Sequence, residues 1–361
     1  MPLSLNSISI IQFKNYPHQR YQFTERIIGI CGRNGVGKTN LLDAIHYLCF
    51  TKSYFSRSDA VNVYHGSQGF RLEGYLSLNG KEEKAVCILR ETGRKEFSLN
   101  DELYTRFSKH IGRYPCVVIA PDDVELIIGG SEERRKFIDT ILSQLDPAYL
   151  QALINYTKIL QQRNSFLRSL SDGYAKDFSV LDILDEQLAK EGSVVFQKRD
   201  GFLKNFLPVA QQKYAQISQQ QEPISLSYET ELHTLNMEEL LKLTRQKDIV
   251  VQRTSGGVHR DELGFNLGAQ TFKSVASQGQ RKSLLFALKL AEMEILKKEK
   301  GFPPLLLLDD VFEKLDEERI SNLLANVCTD EQMQIFITDT NCKRLEDGLQ
   351  KIGQRVQMVR L

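Results

Sequence analysis

The sequence lacks an excess of charge of either sign. Its 361 residues include 47 lysines and arginines against 46 aspartates and glutamates, a formal net charge of +1. This balance excludes a uniformly basic, histone-like protein, although it allows a local basic surface. With 41% hydrophobic and 26% charged residues, the composition is that of a globular protein with about two domains.

Closely spaced cysteine pairs are also missing. No C-x-x-C pair occurs, and no cysteine stands beside a histidine at zinc-finger spacing. We therefore expect reduced, mostly buried thiols in a reducing compartment. The six residues concerned are Cys31, Cys49, Cys87, Cys116, Cys328 and Cys342.

Long hydrophobic runs are absent as well. The beginning, MPLSLNSISI, has no basic stretch followed by a long apolar one, so it does not resemble a secretory signal. The longest apolar stretch lies near Pro303–Leu308, far short of the ~20 residues that cross a bilayer. We expect a cytoplasmic protein without membrane segments, which excludes a transporter.

The order of predicted elements indicates an α/β fold with a helical insertion. Strand and helix patterns alternate over 1–118 and again over 301–361, and a mainly helical lobe spans 119–300. Within that lobe, apolar residues at helical spacing predict helices over 147–170 and about 181–217, joined by a turn at Ser171–Asp177. We expect the two ends of the chain to share one sheet.

The most specific motif is a glycine-rich loop between a predicted strand and a predicted helix. It matches G-x-x-x-x-G-K-[ST], in which backbone N–H groups and the helix N-terminus surround phosphates. The lysine would contact the β- and γ-phosphates, and the threonine hydroxyl would bind Mg²⁺. The predicted ATP-binding residues are Gly32, Arg33, Asn34, Gly35, Val36, Gly37, Lys38 and Thr39.

A second motif is the apolar strand Leu305–Leu308, which is followed by two aspartates. A carboxylate at the end of a buried strand is what a phosphate-binding loop needs beside it to hold Mg²⁺. Asp309 is the predicted metal-side residue. Asp310 is the predicted catalytic base that polarises the attacking water, together with Lys38 as the second catalytic residue; the alternative for Asp310 is a structural carboxylate.

A third motif resembles the S-G-G-Q signature of the ABC ATPase class. It consists of Ser277, Gln278, Gly279 and Gln280 and opens an amphipathic helix predicted over about 280–298. In that class, this helix start binds the γ-phosphate held by a second subunit, so that two chains enclose two ATP molecules. Asp316 lies where the class has its D-loop carboxylate. The alternative interpretation of Ser277 is an ordinary helix cap.

Together these motifs resemble the RecF family, which is related to the ATPase heads of SMC proteins. Further stretches carry the resemblance, and the chain has room only for a short helical hairpin instead of an SMC coiled coil. These stretches are Phe13–Tyr16, Thr39–Ile45, Glu132–Asp139, Gly256–Asp261 and Leu308–Asp316.

The resemblance implies an ATP-dependent DNA-binding protein of recombinational repair and replication. Such proteins dimerise on ATP, hydrolyse it slowly and act with RecO- and RecR-type partners at single-strand gaps. They promote RecA loading and the SOS response.

Two positions depart from the ABC pattern. ABC transporters have Glu where Asp310 stands, and Asp339 replaces the switch histidine. We therefore expect a weak ATPase in which hydrolysis acts as a timer. The first departure shortens the reach of the carboxylate toward water, and the second removes a γ-phosphate sensor.

The DNA-contacting surface is the least specific part of the prediction. The candidate basic clusters are Arg134, Arg135 and Lys136, and Lys297, Lys298 and Lys300, each of which could equally be a solvated helix face. His259 is interpreted as a polar structural residue, not as a metal ligand.

Three other functions share the phosphate-binding loop. A small-molecule kinase would have no use for Ser277 in a second subunit. A related ATPase with a nuclease domain would need additional residues after the Asp309 region. A non-hydrolysing, ATP-gated scaffold would tolerate Lys38→Arg.

Overall fold

Two compact units make up the protein. The computed structural model describes residues 1–171, 178–218, 224–310, 327–328, 330–350 and 353–361. One unit, here the split unit, comprises Met1–Asp123 and Glu292–Leu361; the other, the central unit, comprises Val124–Ala291. The boundaries follow residues 123 and 291, whereas the sequence placed them after 118 and 300. The second boundary falls inside one long helix, so residues of that helix belong to both units.

The split unit contains an antiparallel sheet. Its strands lie in the order β2-β1-β4-β5-β6-β7. Alternating buried and half-buried residues along β4 show that one face is packed and the other partly solvated. The strands are β1 (Leu3–Phe13), β2 (Tyr16–Gln22), β4 (Phe70–Leu78), β5 (Lys81–Leu89), β6 (Lys95–Leu99) and β7 (Glu102–Leu103).

The same unit contains a parallel sheet in the order β14-β3-β13-β12-β8. The three central strands are buried along their whole length, which explains their unbroken apolar sequences. Strands from both ends of the chain are interleaved in this sheet. They are β3 (Ile27–Cys31), β8 (Cys116–Ile119), β12 (Leu305–Leu308), β13 (Ile335–Asp339) and β14 (Val356–Arg360).

Helix α1 (Lys38–Phe50) packs against strands of both sheets. The sequence predicted one apolar side, formed by Leu41, Leu42, Ile45 and Leu48. The structure buries almost every residue of the helix, including Asp43 and His46, because sheets lie on two sides of it. The start of α1 is therefore held rigidly at the ends of the parallel strands.

The central unit is mainly helical, with a three-stranded antiparallel sheet. Its two longest helices pack against each other, and the predicted turn between them lies largely outside the described residues. The helices are α2 (Glu125–Ile128), α3 (Ser131–Leu145), α4 (Pro147–Ser171), α5 (Ser179–Ser218), α6 (Met237–Val251), α7 (Phe272–Val275) and the first part of α8 (Gln278–Lys300). The strands are β9 (Ile224–Glu229), β10 (Glu262–Leu267) and β11 (Gln270–Thr271).

The expectation that all six cysteines are reduced is wrong in this structure. A disulfide joins Cys31, the last residue of β3, to Cys342, the first residue of the short helix α9 (Cys342–Gln350). The pairing register explains the contact: β13 lies beside β3 with Asp339 opposite Cys31, so the chain leaving β13 passes next to the end of β3. The other four cysteines are buried thiols.

Within the described part of the chain, none of the helices combines the length and the apolar character needed to cross a membrane.

Candidate nucleotide-binding site

The glycine-rich loop connects the end of β3 to the start of α1. Gly35 and Gly37 have φ values of +81° and +115°, in the left-handed region that favours glycine. A Cβ atom on Gly37 would also lie 2.6 Å from Nδ2 of Asn15. Glycine at position 37 is thus required both by the backbone and by its neighbour.

Lys38 is almost fully buried, with 4% of its surface exposed. Its Nζ donates to the carbonyl oxygens of Gly32 at 3.0 Å and Arg33 at 3.2 Å. Among the described residues, no carboxylate lies within ion-pair distance of Nζ. A buried ammonium group with neutral acceptors is favourable for binding an anion such as a phosphate.

Thr39 and Asp309 meet at the carboxyl ends of the parallel strands. Thr39 Oγ1 donates to the Asp309 carboxylate at 2.9 Å, and Thr338 Oγ1, from β13, donates to it at 2.9 Å. Burial raises the pKa of Asp309, while the two threonine hydroxyls oppose that rise. A hydroxyl and a carboxylate are hard oxygen ligands, so the residues present fit a magnesium ion.

Asp310 lies directly after Asp309 and has a left-handed backbone, with φ of +43°. Its N–H donates to Thr338 Oγ1 at 2.8 Å. One threonine hydroxyl thus accepts from the backbone of Asp310 and donates to the side chain of Asp309. These two hydrogen bonds fix the backbone at Asp310, directly after the end of β12, relative to β13.

Asn15 and Tyr16 contact the glycine-rich loop, although the sequence did not predict them as site residues. Asn15 Nδ2 donates to the Val36 carbonyl at 2.8 Å, and Tyr16 Oη donates to the Gly37 carbonyl at 3.0 Å. Asn15 lies in the turn between β1 and β2, and Tyr16 is the first residue of β2. The signal in the sequence was that Phe13–Tyr16 carries part of the family resemblance. That signal did not indicate a contact with the glycine-rich loop, which is distant in the sequence.

Comparison with known proteins agrees with this architecture. The family model described as the RecF/RecN/SMC N terminal domain matches residues 4–359. The DNA replication and repair protein RecF of Flavobacterium johnsoniae is 39% identical over 99% of this chain and 100% of its own length. The RecF protein of Bacteroides thetaiotaomicron is 40% identical, over 99% of this chain and 96% of its own.

The chain belongs to the RecF family.

Solved structures extend the agreement to three dimensions. The recombination mediator protein RecF-ATPrS in the RecFOR pathway has a TM-score of 0.87 at 30% identity, covering 94% of this chain and 93% of that one. An SMC head domain from Pyrococcus furiosus has a TM-score of 0.53 at 16% identity, covering 96% and 92%, which shows a shared fold. The predicted ABC/SMC-head-like α/β fold is therefore confirmed.

Asp339, which the sequence places where the ABC class has its switch histidine, is fully buried. Its carboxylate accepts from Asn341 N at 2.8 Å and from Arg344 Nε at 2.8 Å. It therefore acts within the fold, at the N-terminus of α9. The negative charge is neutralised by Arg344.

Ser277 and Gln280 form a reciprocal cap at the start of α8. Gln280 N donates to Ser277 Oγ at 3.2 Å, and Ser277 N donates to Gln280 Oε1 at 2.7 Å. This is a capping box, which satisfies two backbone donors. Ser277 and Gln278 are exposed and Gly279 is half-buried. Asp316 lies outside the described residues.

The first basic cluster is largely used for internal contacts of the central unit. Arg134 forms an ion pair with Glu262 at 2.6 Å, and Arg135 donates to the Asp261 carbonyl at 2.6 Å. Lys136 is exposed. In the split unit, Lys297 pairs with Asp330 at 2.7 Å. The structure therefore leaves Lys136 as the more accessible cation of the first cluster.

A buried arginine joins two of the family-like stretches in the central unit. Arg199, 3% exposed, pairs with Asp139 at 2.8 Å and with Asp261 at 3.1 Å. Nearby, His259 Nδ1 lies 2.7 Å from Tyr156 Oη, and burial lowers the pKa of His259 to about 4. Glu132–Asp139 and Gly256–Asp261 thus contribute to the core of this unit.

Proposed function

We propose that this chain is an ATP-dependent DNA-binding protein of recombinational repair and replication. ATP and Mg²⁺ bind at the glycine-rich loop and drive formation of a homodimer. The dimer binds DNA at single-strand gaps, acts with RecO- and RecR-type mediators, and promotes RecA loading and SOS induction. Support comes from relatives called DNA replication and repair protein RecF, and from a solved relative described as RecF-ATP in the RecFOR pathway.

The observation that carries the nucleotide part is the grouping of Lys38, Thr39 and Asp309. The lysine is buried beside carbonyl groups, and the threonine hydroxyl lies 2.9 Å from the aspartate carboxylate. The first can bind phosphate oxygens, and the other two can bind Mg²⁺, which neutralises phosphate charge when bound. Backbone N–H groups in the segment 33–39 are proposed to complete the cradle.

Hydrolysis is proposed to be slow. Asp310 is the candidate base, and its side chain is one methylene shorter than glutamate. We expect turnover well below roughly 10 s⁻¹, the median of ordinary enzymes. Asp339 is already paired with Arg344, so we do not assign it the role of a γ-phosphate sensor.

Dimerisation is proposed to place Ser277–Gln280 of one chain against the nucleotide of the other. Ser277 is exposed at the start of α8, where its hydroxyl, backbone N–H groups of the first turn and the positive end of the helix dipole can attract an anion. Asp316 is proposed to approach the same nucleotide. The cap itself explains only local folding, so the dimer requires a direct test.

Light scattering with ATP and Mg²⁺ provides that test. Wild type should double in mass, and Ser277→Arg should stay monomeric because the added side chain fills the contact and alters the cap. Thr157→Arg, at an exposed position on α4, is the matched control and should dimerise. A wild type that binds ATP but remains monomeric would contradict the proposal and favour a kinase-like function.

DNA binding is measured in the same samples. The ATP-bound dimer should bind gapped DNA more tightly than the monomer, and affinity should fall steeply as salt rises because phosphate contacts release counterions. Equal binding with and without ATP would show that the nucleotide does not control DNA binding. A flat salt dependence would contradict a phosphate-binding surface.

A further inference from the structure

The Cys31–Cys342 disulfide lies immediately next to the glycine-rich loop. Cys31 is followed directly by Gly32, whose carbonyl accepts a hydrogen bond from Lys38. Cys342 opens α9, two residues after the Thr340 that follows Asp339. The bond therefore connects the beginning of the phosphate-binding loop to the segment after β13.

Local packing makes the start of the loop sensitive to this bond. A Cβ atom built on Gly32 would lie 2.8 Å from the Leu361 carbonyl oxygen, so the backbone there has little free space. Gly32 N also donates to the Asp339 carbonyl, at 3.4 Å. A change at Cys31 is thus transmitted to backbone that touches both the loop and β13.

The two cysteines of the disulfide differ in their exposure to solvent. Cys31 is fully buried, whereas Cys342 is partly exposed. An external thiolate can therefore approach Cys342, with Cys31 as the leaving group. The remaining cysteines are buried and lie outside any disulfide, so they offer no competing exchange site within the described residues.

We propose that Cys31 and Cys342 form a thiol–disulfide exchange site whose oxidation state sets the affinity of the adjacent loop for ATP. The co-reactants are a small thiol and its disulfide. This proposal rests on the proposed nucleotide binding. It adds to that function a redox-modification site that regulates it.

The chemistry is ordinary exchange. A thiolate attacks Cys342 Sγ, the bond to Cys31 breaks, and the Cys31 thiolate takes a proton from water. A second thiolate attacks the external sulfur of the mixed disulfide and releases the Cys342 thiolate, which is also protonated. Two external thiols become one disulfide, and the protein disulfide becomes two thiols; oxidation is the reverse.

The oxidised form should bind ATP more tightly. The bond holds the start of the loop in the arrangement in which Lys38 is already buried, and such preorganisation lowers the cost of binding. On reduction, Cys31 and the first turn of α9 can separate. We expect the dissociation constant for ATP to rise on the order of threefold to tenfold.

Two measurements test the proposal on the full chain after incubation with oxidised or reduced glutathione. Maleimide labelling of the unfolded protein counts thiols: four are expected after oxidation, matching the four cysteines outside the disulfide, and six after reduction. Titration with a fluorescent ATP analogue then gives the dissociation constant of each form.

Cys342→Ser and Cys87→Ala are the matched variants. Cys342→Ser should bind ATP with the reduced-form constant in both buffers, while Cys87→Ala, altered at a buried thiol on β5, should respond as wild type. Six thiols under oxidising conditions, or equal ATP affinity of the two forms, would overturn the proposal. Failure to bind ATP in both forms would overturn the proposed function, and the thiol count would still decide whether the disulfide exists.

Discussion

The split unit and the central unit both bury cationic side chains, but they neutralise them differently. In the central unit, Arg199 is surrounded by the carboxylates of Asp139 and Asp261. In the split unit, Lys38 is buried against carbonyl oxygens. The first arrangement is electrostatically complete, while the second can accept an anion.

The difference separates residues that hold a fold from residues that bind a ligand. A buried charge paired with carboxylates stabilises one conformation, and removing it leaves the carboxylates uncompensated. A buried ammonium with neutral partners gains most when a phosphate arrives. The burial of a cationic side chain therefore does not by itself indicate that it binds a ligand. The charge of the groups that surround it does.

Arg199→Met should produce the largest loss of stability. The substitution leaves the buried Asp261 and the half-buried Asp139 without their cation, which costs about 3–5 kcal/mol. Urea denaturation followed by circular dichroism measures the change. Lys204→Met, which removes the exposed ion pair with Asp200 on the same helix, should cost at most about 1 kcal/mol. Equal losses of stability in the two variants would contradict the proposed difference between buried and exposed ion pairs.

Acidification should destabilise both units. Burial lowers the pKa of His259 in the central unit and of His110 in the split unit to about 4. In the unfolded chain, the histidine pKa lies near 6.5, so between pH 6.5 and 4 the unfolded chain binds more protons than the folded one. The stability present above pH 6.5 is therefore lost as the pH falls towards 4.

The difference between 6.5 and about 4 corresponds to about 3 kcal/mol for each histidine. Denaturant titrations between pH 7 and 4 measure this loss. His259→Gln and His110→Gln should each remove a similar part of it. If neither variant changed the pH dependence, the neutral buried state of these histidines would be refuted.

Lys38→Met should separate binding from folding. We expect ATP affinity to fall about a hundredfold, which is about 2.7 kcal/mol. The free energy of unfolding should change little, because Lys38 has no ion pair with any residue that the structure describes. Titration with a fluorescent ATP analogue and urea denaturation provide the two readings. Lys81→Met, at an exposed position on β5, should change neither. A large loss of stability in Lys38→Met would place Lys38 with Arg199 as a folding residue.

The smallest predicted effect distinguishes two helix caps. Asn236→Ala and Ser277→Ala each remove one capping side chain, and each should cost about 1 kcal/mol. Thermal unfolding measures that cost. Only Ser277→Ala should weaken the ATP-dependent dimer in light scattering; a similar weakening by Asn236→Ala would make Ser277 an ordinary cap.

Sequence patterns predicted the elements well where the signal was local. Helices predicted over 147–170 and about 181–217 are observed as Pro147–Ser171 and Ser179–Ser218, because apolar spacing persists over many turns. The strand preceding the two aspartates was predicted at its observed bounds, Leu305–Leu308. Glycine and lysine spacing likewise located the loop and its neighbouring elements.

Contacts between distant residues could not be predicted in the same way. Nothing near Thr338 in the sequence indicates that it bonds to Asp309, since that contact depends on β13 lying beside β12. Cys31 and Cys342 are separated by 311 residues, and their meeting depends on the same strand order. The contacts of Asn15 require the turn after β1 to reach the loop.

The strand order of the parallel sheet also has a consequence for synthesis of the protein. Strand β3, which leads into the glycine-rich loop, is flanked by β13 and β14, and both come from the last thirty residues of the sequence. A nascent chain on the ribosome has therefore made the loop long before its lateral supports exist. Newly made protein should stay inert towards nucleotide until β13 and β14 have been translated, and truncated products that lack these two strands should not bind nucleotide.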